Sequence, residues 1–283
     1  MYGYFRHSTI NIGDDMQSLA ARLFLPPGAR TFDRDDSHAE ERRGECFVIA
    51  NGWLMHPVRG RYHIPFHEDV VPFFISVHIC PEFRRAFPPA AVEYLKRHEP
   101  IGCRDRSTLE FLKSRGIDAY WTGCLTMVLG EMFSDPQPER QGIVLVEPHG
   151  AVPPEIGDSA ITREHHISNE VRRSLSARFA HAERLLRLYR SARLVVTSRL
   201  HCALPAIAGG TPVVIVHHNP GDPRFGALEG LARVYSPTET IDWNPAPIDI
   251  RAKAAPLYNL VARAVRERRN PMADGMRYPD DFQ

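Results

Sequence analysis

The chain has 283 residues, enough for one large domain or two of ordinary size, each with its own core. Its formal charge is +1 with the histidines neutral, so no global field draws it to nucleic acid or to a membrane. Five cysteines, an odd set without a Cys-x-x-Cys pair, argue against a disulfide framework and a structural zinc site, and they suit a reducing cytoplasm. The only lysines are Lys96, Lys113 and Lys253, and the arginine excess that results is too general to mark a site. The opening "MYGYFRHSTINIGDD" lacks the apolar core of a secretory signal. The longest apolar run, "VVPFFISVHIC", is too short to span a bilayer and reads as a buried strand.

Short β-rich runs alternate with helical periodicity, the pattern of an α/β protein with parallel strands. "NIGDDMQSLAARLFLPPG" (11–28) offers a glycine turn, an acidic first turn and a helix stopped by Pro26-Pro27. "CFVIANGW" (46–53) and "PFFISVHIC" (72–80) predict strands. "IGCRDRSTLEFLKSRGIDAYWTGC" (101–124) predicts a helix in which Ser107 and Glu110 match a capping box and Gly116 marks the end. The polar, proline-containing stretch 134–141 is the best linker candidate. It predicts a Rossmann-like domain over 1–135, a second over 142–248, and a C-terminal helix and tail over 249–283 with the option of packing back on the first. "GIVLVEPHG" (142–150) restarts the pattern as a strand, and 150–168 reads as an unpatterned loop. Leu175, Phe179, Ala182, Leu186 and Tyr189 then mark one helical face. "RLVVTS" (193–198) is a strand, "RLHCALPAIAGG" (199–210) a turn into a helix, and "TPVVIV" (211–216) a strand. Pro205 is tolerable there only within the first turns. A last helix over about 250–268 has a basic end, "RERR".

Both halves contain a strand that runs straight into arginine and then a helix. One reads "IGCRDRST", with Arg104 and Arg106; the other reads "VVTSRLHC", with Arg199 and His201. The carboxyl end of a parallel strand is where α/β folds put ligands, and the helix start adds free N–H groups and partial positive charge. A cation there costs about 0.3–1 kcal/mol unless an anion joins it. Such an arginine can simply pair with a carboxylate such as Asp105 or reach solvent. Two such turns in matching positions favour anion binding instead, and together they would hold a ligand with several charges, such as a phosphate plus a carboxylate. An anion beside His201 would keep it protonated, which fits a general acid. Residues two apart on a helix diverge, so joint use of Arg199 and His201 requires Arg199 to sit in the turn ahead of the helix.

The segments "NIGDDMQSLAA" (11–21), "PIGCRDRSTLEFLKSRGIDAYWTGCLTMVL" (100–129) and "VVTSRLHCALPAIAGGTPVVIV" (195–216), in this order, resemble the polysaccharide pyruvyl transferases. With the weaker "DPRFGALEGLARVY" (222–235), the resemblance covers most of residues 11–235. It implies two Rossmann-like domains with parallel sheets, similar to GT-B glycosyltransferases, with the active site in the interdomain cleft. It also implies transfer of a pyruvyl group from phosphoenolpyruvate to a sugar of a polysaccharide or lipid-linked glycan precursor. The products would be a pyruvate ketal and phosphate, with no cofactor and no metal. Carried over, Arg104 and Arg199 would grip the donor's phosphate and carboxylate, and His201 would be the acid. The chemistry agrees, because an enol phosphate becomes electrophilic at its central carbon once its methylene carbon is protonated.

Further substrate-binding candidates are Arg106 and Ser198 beside these residues, and Asn51, His149 and His217 at strand ends. Asn11 and Gly13 join them: Gly13 would allow a tight turn, and the helix beginning near Asp14 could line the cleft. Two departures from the family pattern stand out. "IANGW" puts Asn51-Gly52 where many members have a glycine-rich turn, and the short C-terminus leaves acceptor recognition open.

Other signals carry less. His63 and His67 are four apart, but Pro65 breaks the helix that would bring them to one zinc ion. His165-His166 lie in the polar loop without a cysteine partner. There is no Walker A, no GxGxxG after the first strand and no GxSxG elbow. The basic end of the last helix reads as a solvated face, with association to an anionic membrane surface as the alternative. Two other functions stay open: a GT-B-type glycosyltransferase holding a nucleotide sugar with the same arginines, and a non-catalytic binding module on the same fold. Neither the acceptor sugar nor the oligomeric state is readable.

Overall fold

The computed structural model describes residues 1–39, 41, 43–54, 64–172 and 174–279; His63 lies outside them. The chain is α/β with two sheets, and every pairing within each sheet is parallel. Strands β1 (Tyr2–Arg6), β2 (Arg30–Asp33), β3 (Cys46–Leu54), β4 (Val70–Ile79), β5 (Ile101–Cys103) and β6 (Ala119–Trp121) form the first sheet, in the order β2-β1-β3-β4-β5-β6. Strands β7 (Ile143–Val146), β8 (Ile161–Arg163), β9 (Leu194–Thr197), β10 (Val213–Val216) and β11 (Val234–Tyr235) form the second, in the order β11-β10-β9-β7-β8. The helices are α1 (Ile12–Arg22), α2 (Pro89–Lys96), α3 (Arg106–Ser114), α4 (Pro154–Gly157), α5 (Asn169–Arg172), α6 (Leu175–Ser191), α7 (Leu200–Ala208) and α8 (Arg251–Glu267).

The central strands are buried on both faces, which explains why β3 and β4 read as near-continuous apolar runs. In the second sheet Ile143, Leu194, Val196, Val214 and Val216 make one buried cluster, with Leu145, Tyr235 and Trp243 packed against it. Two compact units account for the chain. One comprises residues 1–8, 17–125 and 255–283; the other comprises 9–16 and 126–254. Two of the four divisions fall inside α1 and α8, and residues 134–141 lie within the second unit.

Several local expectations are corrected. Helix α3 is not capped by a Ser107–Glu110 box. Asp105 is its extended N-cap, and its carboxylate accepts the Thr108 N–H at 2.8 Å. Ser107 lies inside the first turn and accepts a hydrogen bond from Arg84. Asn51-Gly52 is not a turn. It sits inside β3 at a register shift against β4, with Gly52 at φ 115°. Residues 150–168 hold α4 and the exposed edge strand β8, which shows no alternation because none of its residues is buried. Helix α1 ends at Arg22, ahead of the two prolines.

The two arginine turns do not occupy matching positions. Counted from its own first strand, the second sheet runs 5-4-3-1-2, so its order reverses between β7 and β9, and crevices for ligands form outside the carboxyl ends at such a reversal. Arg199 follows β9, at that point. The first sheet reverses between β1 and β3, whereas Arg104 follows β5, nearer the opposite edge.

Candidate functional site

In the second unit, β9 gives way at Ser198, and Arg199 is the extended N-cap of α7, at φ −103° and ψ 121°. Arg199 therefore lies in the turn, and His201 is the second residue of the helix. That is the arrangement joint use requires. The Thr197 hydroxyl accepts the Arg199 N–H at 2.9 Å, and the Ser198 hydroxyl donates to the Glu147 carbonyl at 2.6 Å. Pro205 is accommodated in the second turn of α7; lacking an N–H, it cannot bond the carbonyl of residue 201.

Sequence reasoning passed over Glu147, yet it organises this end of the sheet. It follows β7 with a left-handed φ of 47°, unusual for a residue with a Cβ. Its carboxylate accepts from Arg199 Nε at 2.6 Å and from the His165 N–H at 2.7 Å, and His166 Nδ1 lies at 3.3 Å. Partial burial pushes its pKa up, but the His165 N–H and Arg199 outweigh it and hold the carboxyl below its ordinary value. Arg199 is thus paired rather than bare. The pair is partly exposed, so its net worth is about 0–1 kcal/mol, and an incoming anion can compete for the guanidinium.

Beside it lies His165, another residue set aside in the sequence. The residue is 2% exposed, and among the described residues neither ring nitrogen has a hydrogen-bond partner. Burial, reinforced by Arg199, lowers its pKa to about 3, so the ring is neutral at physiological pH. Its backbone is clamped at both ends, the N–H on Glu147 and the carbonyl accepting the Ile12 N–H at 3.1 Å.

The leading N–H groups of α1 are already used. Ile12 donates to His165, Gly13 to the Asn11 side chain at 3.0 Å, and Asp14 to the Asn11 carbonyl. Asn11 is therefore a cap. Gly13 makes no left-handed turn; it provides a close approach. A Cβ there would lie 2.8 Å from both His165 Nε2 and the His201 Cβ.

His149, His217 and His218 stand at the neighbouring strand ends. The His149 ring centroid is 4.5 Å from that of His217 and 4.4 Å from that of His218. His149 Nδ1 accepts the His218 N–H at 3.1 Å, and His217 Nδ1 lies 3.0 Å from both the N–H and the carbonyl of Asn219. Among the described residues no group of three or more His, Cys, Asp or Glu could hold a metal ion.

In the first unit the two candidate arginines diverge. Arg104 is 2% exposed; its N–H donates to the Val77 carbonyl and its carbonyl accepts from Trp121 Nε1 at 3.1 Å. Arg106 lies over the Trp121 ring, 4.4 Å from the centroid, in a cavity of about 550 Å³ shared with Lys113 and Tyr278. The Asp105 carboxylate is used inside the unit. It bonds His78 Nδ1 at 2.6 Å, deep in the core. Burial acts to raise the Asp105 pKa, but His78 and Arg104 hold it low, while burial and Arg104 push His78 below its ordinary value. Asn51 is buried, its amide donating to the Gln17 carbonyl at 3.1 Å.

The model of the polysaccharide pyruvyl transferase family matches residues 11–220. No curated protein matches the chain significantly. Among solved structures, a functionally uncharacterised protein from Klebsiella pneumoniae matches at 16% identity, with 81% of this chain and 88% of that one covered and a TM-score of 0.48. The wall teichoic acid polymerase TagF, as an H444N variant soaked with CDPG, matches at 10% identity, with 94% and 83% covered and a TM-score of 0.36. No helix among the described residues is long and apolar enough to cross a membrane.

Proposed function

Since the chain belongs to the polysaccharide pyruvyl transferase family, we propose that it transfers the pyruvyl group of phosphoenolpyruvate to two hydroxyls of one sugar in a polysaccharide or lipid-linked glycan precursor. The observation that carries this reading is the placement of Arg199 ahead of α7 and His201 inside its first turn, at the reversal of the second sheet. Arg199 would bind the anionic donor, in competition with Glu147. His201, protonated beside that anion, would deliver its proton to the methylene carbon. The first sugar hydroxyl then attacks the central carbon and gives up its proton. Phosphate leaves with the electrons of its C–O bond, and the second hydroxyl closes the ketal. Of the two hydroxyl protons, one replaces the proton now on the new methyl group and the other leaves on phosphate, so the proton balance closes without a cofactor.

Release of inorganic phosphate from phosphoenolpyruvate, dependent on a glycan acceptor, tests the activity. Arg199→Ala is expected to weaken donor binding by roughly tenfold or more, the loss of a charge-assisted hydrogen bond. His201→Ala is expected to bind donor and lose turnover by about 10²–10⁴-fold. Wild-type turnover in His201→Ala would remove it as the acid. Stabilisation by a nucleoside diphosphate and not by phosphoenolpyruvate would favour the nucleotide-sugar reading.

A further inference from the structure

Strands β10, β9 and β7 lie side by side, so their carboxyl ends present His217, Arg199 and His149 along one edge of the second unit. The His149 and His217 rings are held by the chain itself. His149 Nδ1 accepts the His218 N–H, which places the proton of its neutral imidazole on Nε2, and His217 Nδ1 lies 3.0 Å from both the N–H and the carbonyl of Asn219. The ring contacts of His149 with His217 and His218, and of His217 with Phe225 at 5.0 Å, fix the ring planes. Both histidines are half-buried and His218 is exposed.

The His149 Nε2–H, the Arg199 guanidinium and a protonated His217, whose Nδ1–H the Asn219 carbonyl can accept, are all donors. A sugar hydroxyl would leave its own proton unserved there, whereas an oxyanion, which only accepts, is matched. Donors arriving from three strand ends suit the three outer oxygens of a phosphoryl group better than the two coplanar oxygens of a carboxylate. The nearby carboxylates are already engaged, Glu147 by Arg199 and Asp222 by Arg224. Ring stacking and the consumed Nδ1 atoms also disfavour a chelated metal ion.

We propose that His149 and His217 form, with Arg199, a phosphate subsite, where the donor's phosphoryl group is held and from which inorganic phosphate departs. Its link to phosphoenolpyruvate rests on the pyruvyl-transfer reading; the subsite itself does not.

The probe is inorganic phosphate, titrated into the full chain by calorimetry at pH 7.5. His149→Phe and His217→Phe keep a flat ring and remove the Nε2 donor, and each is expected to weaken phosphate binding by about tenfold with an unchanged melting temperature. His149→Gln, which restores an amide donor at that reach, is expected to recover part of the loss even if the Phe variant is unstable. Unchanged phosphate affinity in both Phe variants, or no binding by the wild type at millimolar phosphate, overturns the subsite. A wild type that binds phosphate yet releases none from phosphoenolpyruvate strikes the transfer reading and leaves the subsite standing.

Discussion

At position 13 a single methyl group would meet two histidines. Its Cβ would come within 2.8 Å of His165 Nε2 and of the His201 Cβ, so Gly13→Ala should behave as overpacking and cost about 1–3 kcal/mol in urea unfolding. His165 makes the complementary prediction. Its folded pKa is about 3 against an ordinary 6.5, because burial and Arg199 disfavour the charged ring. Between those values the unfolded chain takes a proton that the folded chain refuses. Its contribution is therefore full above pH 6.5 and declines as pH falls toward 3, by at most about 1.4 kcal/mol per pH unit. His165→Gln should flatten that decline between pH 7.5 and 5; an unaltered difference in urea midpoints would show that another group titrates. The glycine was visible in the sequence and the reason for it was not. "NIGDD" reads as a turn because the histidine it must accommodate sits in a segment with no periodicity. Glu147 was hidden likewise, since its role depends on β7 and β9 being neighbours, which no local pattern states.

Elements show the same division between what propensity announces and what pairing decides. The 3-and-4 spacing along α6 marked the buried face correctly at Phe179, Ala182, Leu186 and Tyr189, but Arg178 is buried on it too. Arg178 grips Asp15 of α1 with two bonds of 2.7 and 2.8 Å and donates to the Thr9 carbonyl at 2.8 Å. Burial raises Asp15 to about 6 against the pull of that guanidinium. The folded carboxyl thus keeps a proton between about 3.8 and 6 that the unfolded chain has released, and its contribution to stability declines as pH rises across that window. At pH 7 the carboxylate is ionised and depends on its partner. Arg178→Met should cost about 3–5 kcal/mol there, the penalty of an uncompensated buried charge, and less at pH 5, where Asp15 can protonate. A loss independent of pH would mean that the packing of residue 178 matters and the ion pair does not. At α3 the serine-glutamate spacing imitated a capping box, while the acid two residues earlier holds the cap and His78 together. A cap is chosen by which residue is extended, and that is set by where β5 ends.

At the scale of the whole chain, alternating strands and helices gave the α/β class and the parallel sheets, because buried parallel strands and amphipathic helices have distinct periods. The order of strands and the way the chain is shared between units carry no period, so they had to be seen. Neither unit is one continuous stretch. The first takes residues 255–283, through which α8 buries Leu257, Leu260, Val261, Ala264 and Val265 and Asn270 donates to the Pro100 carbonyl at 2.9 Å. The second takes residues 9–16, which supply Asp15 to Arg178 and the bridge from Asn11 to His166. A cut at the unit boundary is therefore expected to damage both pieces. A fragment of residues 1–125 lacks the apolar face of α8 and should give a broad, poorly cooperative thermal transition, or none. Residues 126–254 lack the partner of a buried arginine and should bind a synthetic peptide of residues 9–22. That peptide should protect α6 from amide exchange, and its Asp15→Asn version should protect it less, because the bidentate bonds to Arg178 are lost. Equal protection by both peptides would show that the first turn of α1 is held by its backbone and apolar contacts, with Asp15 contributing nothing to its seat.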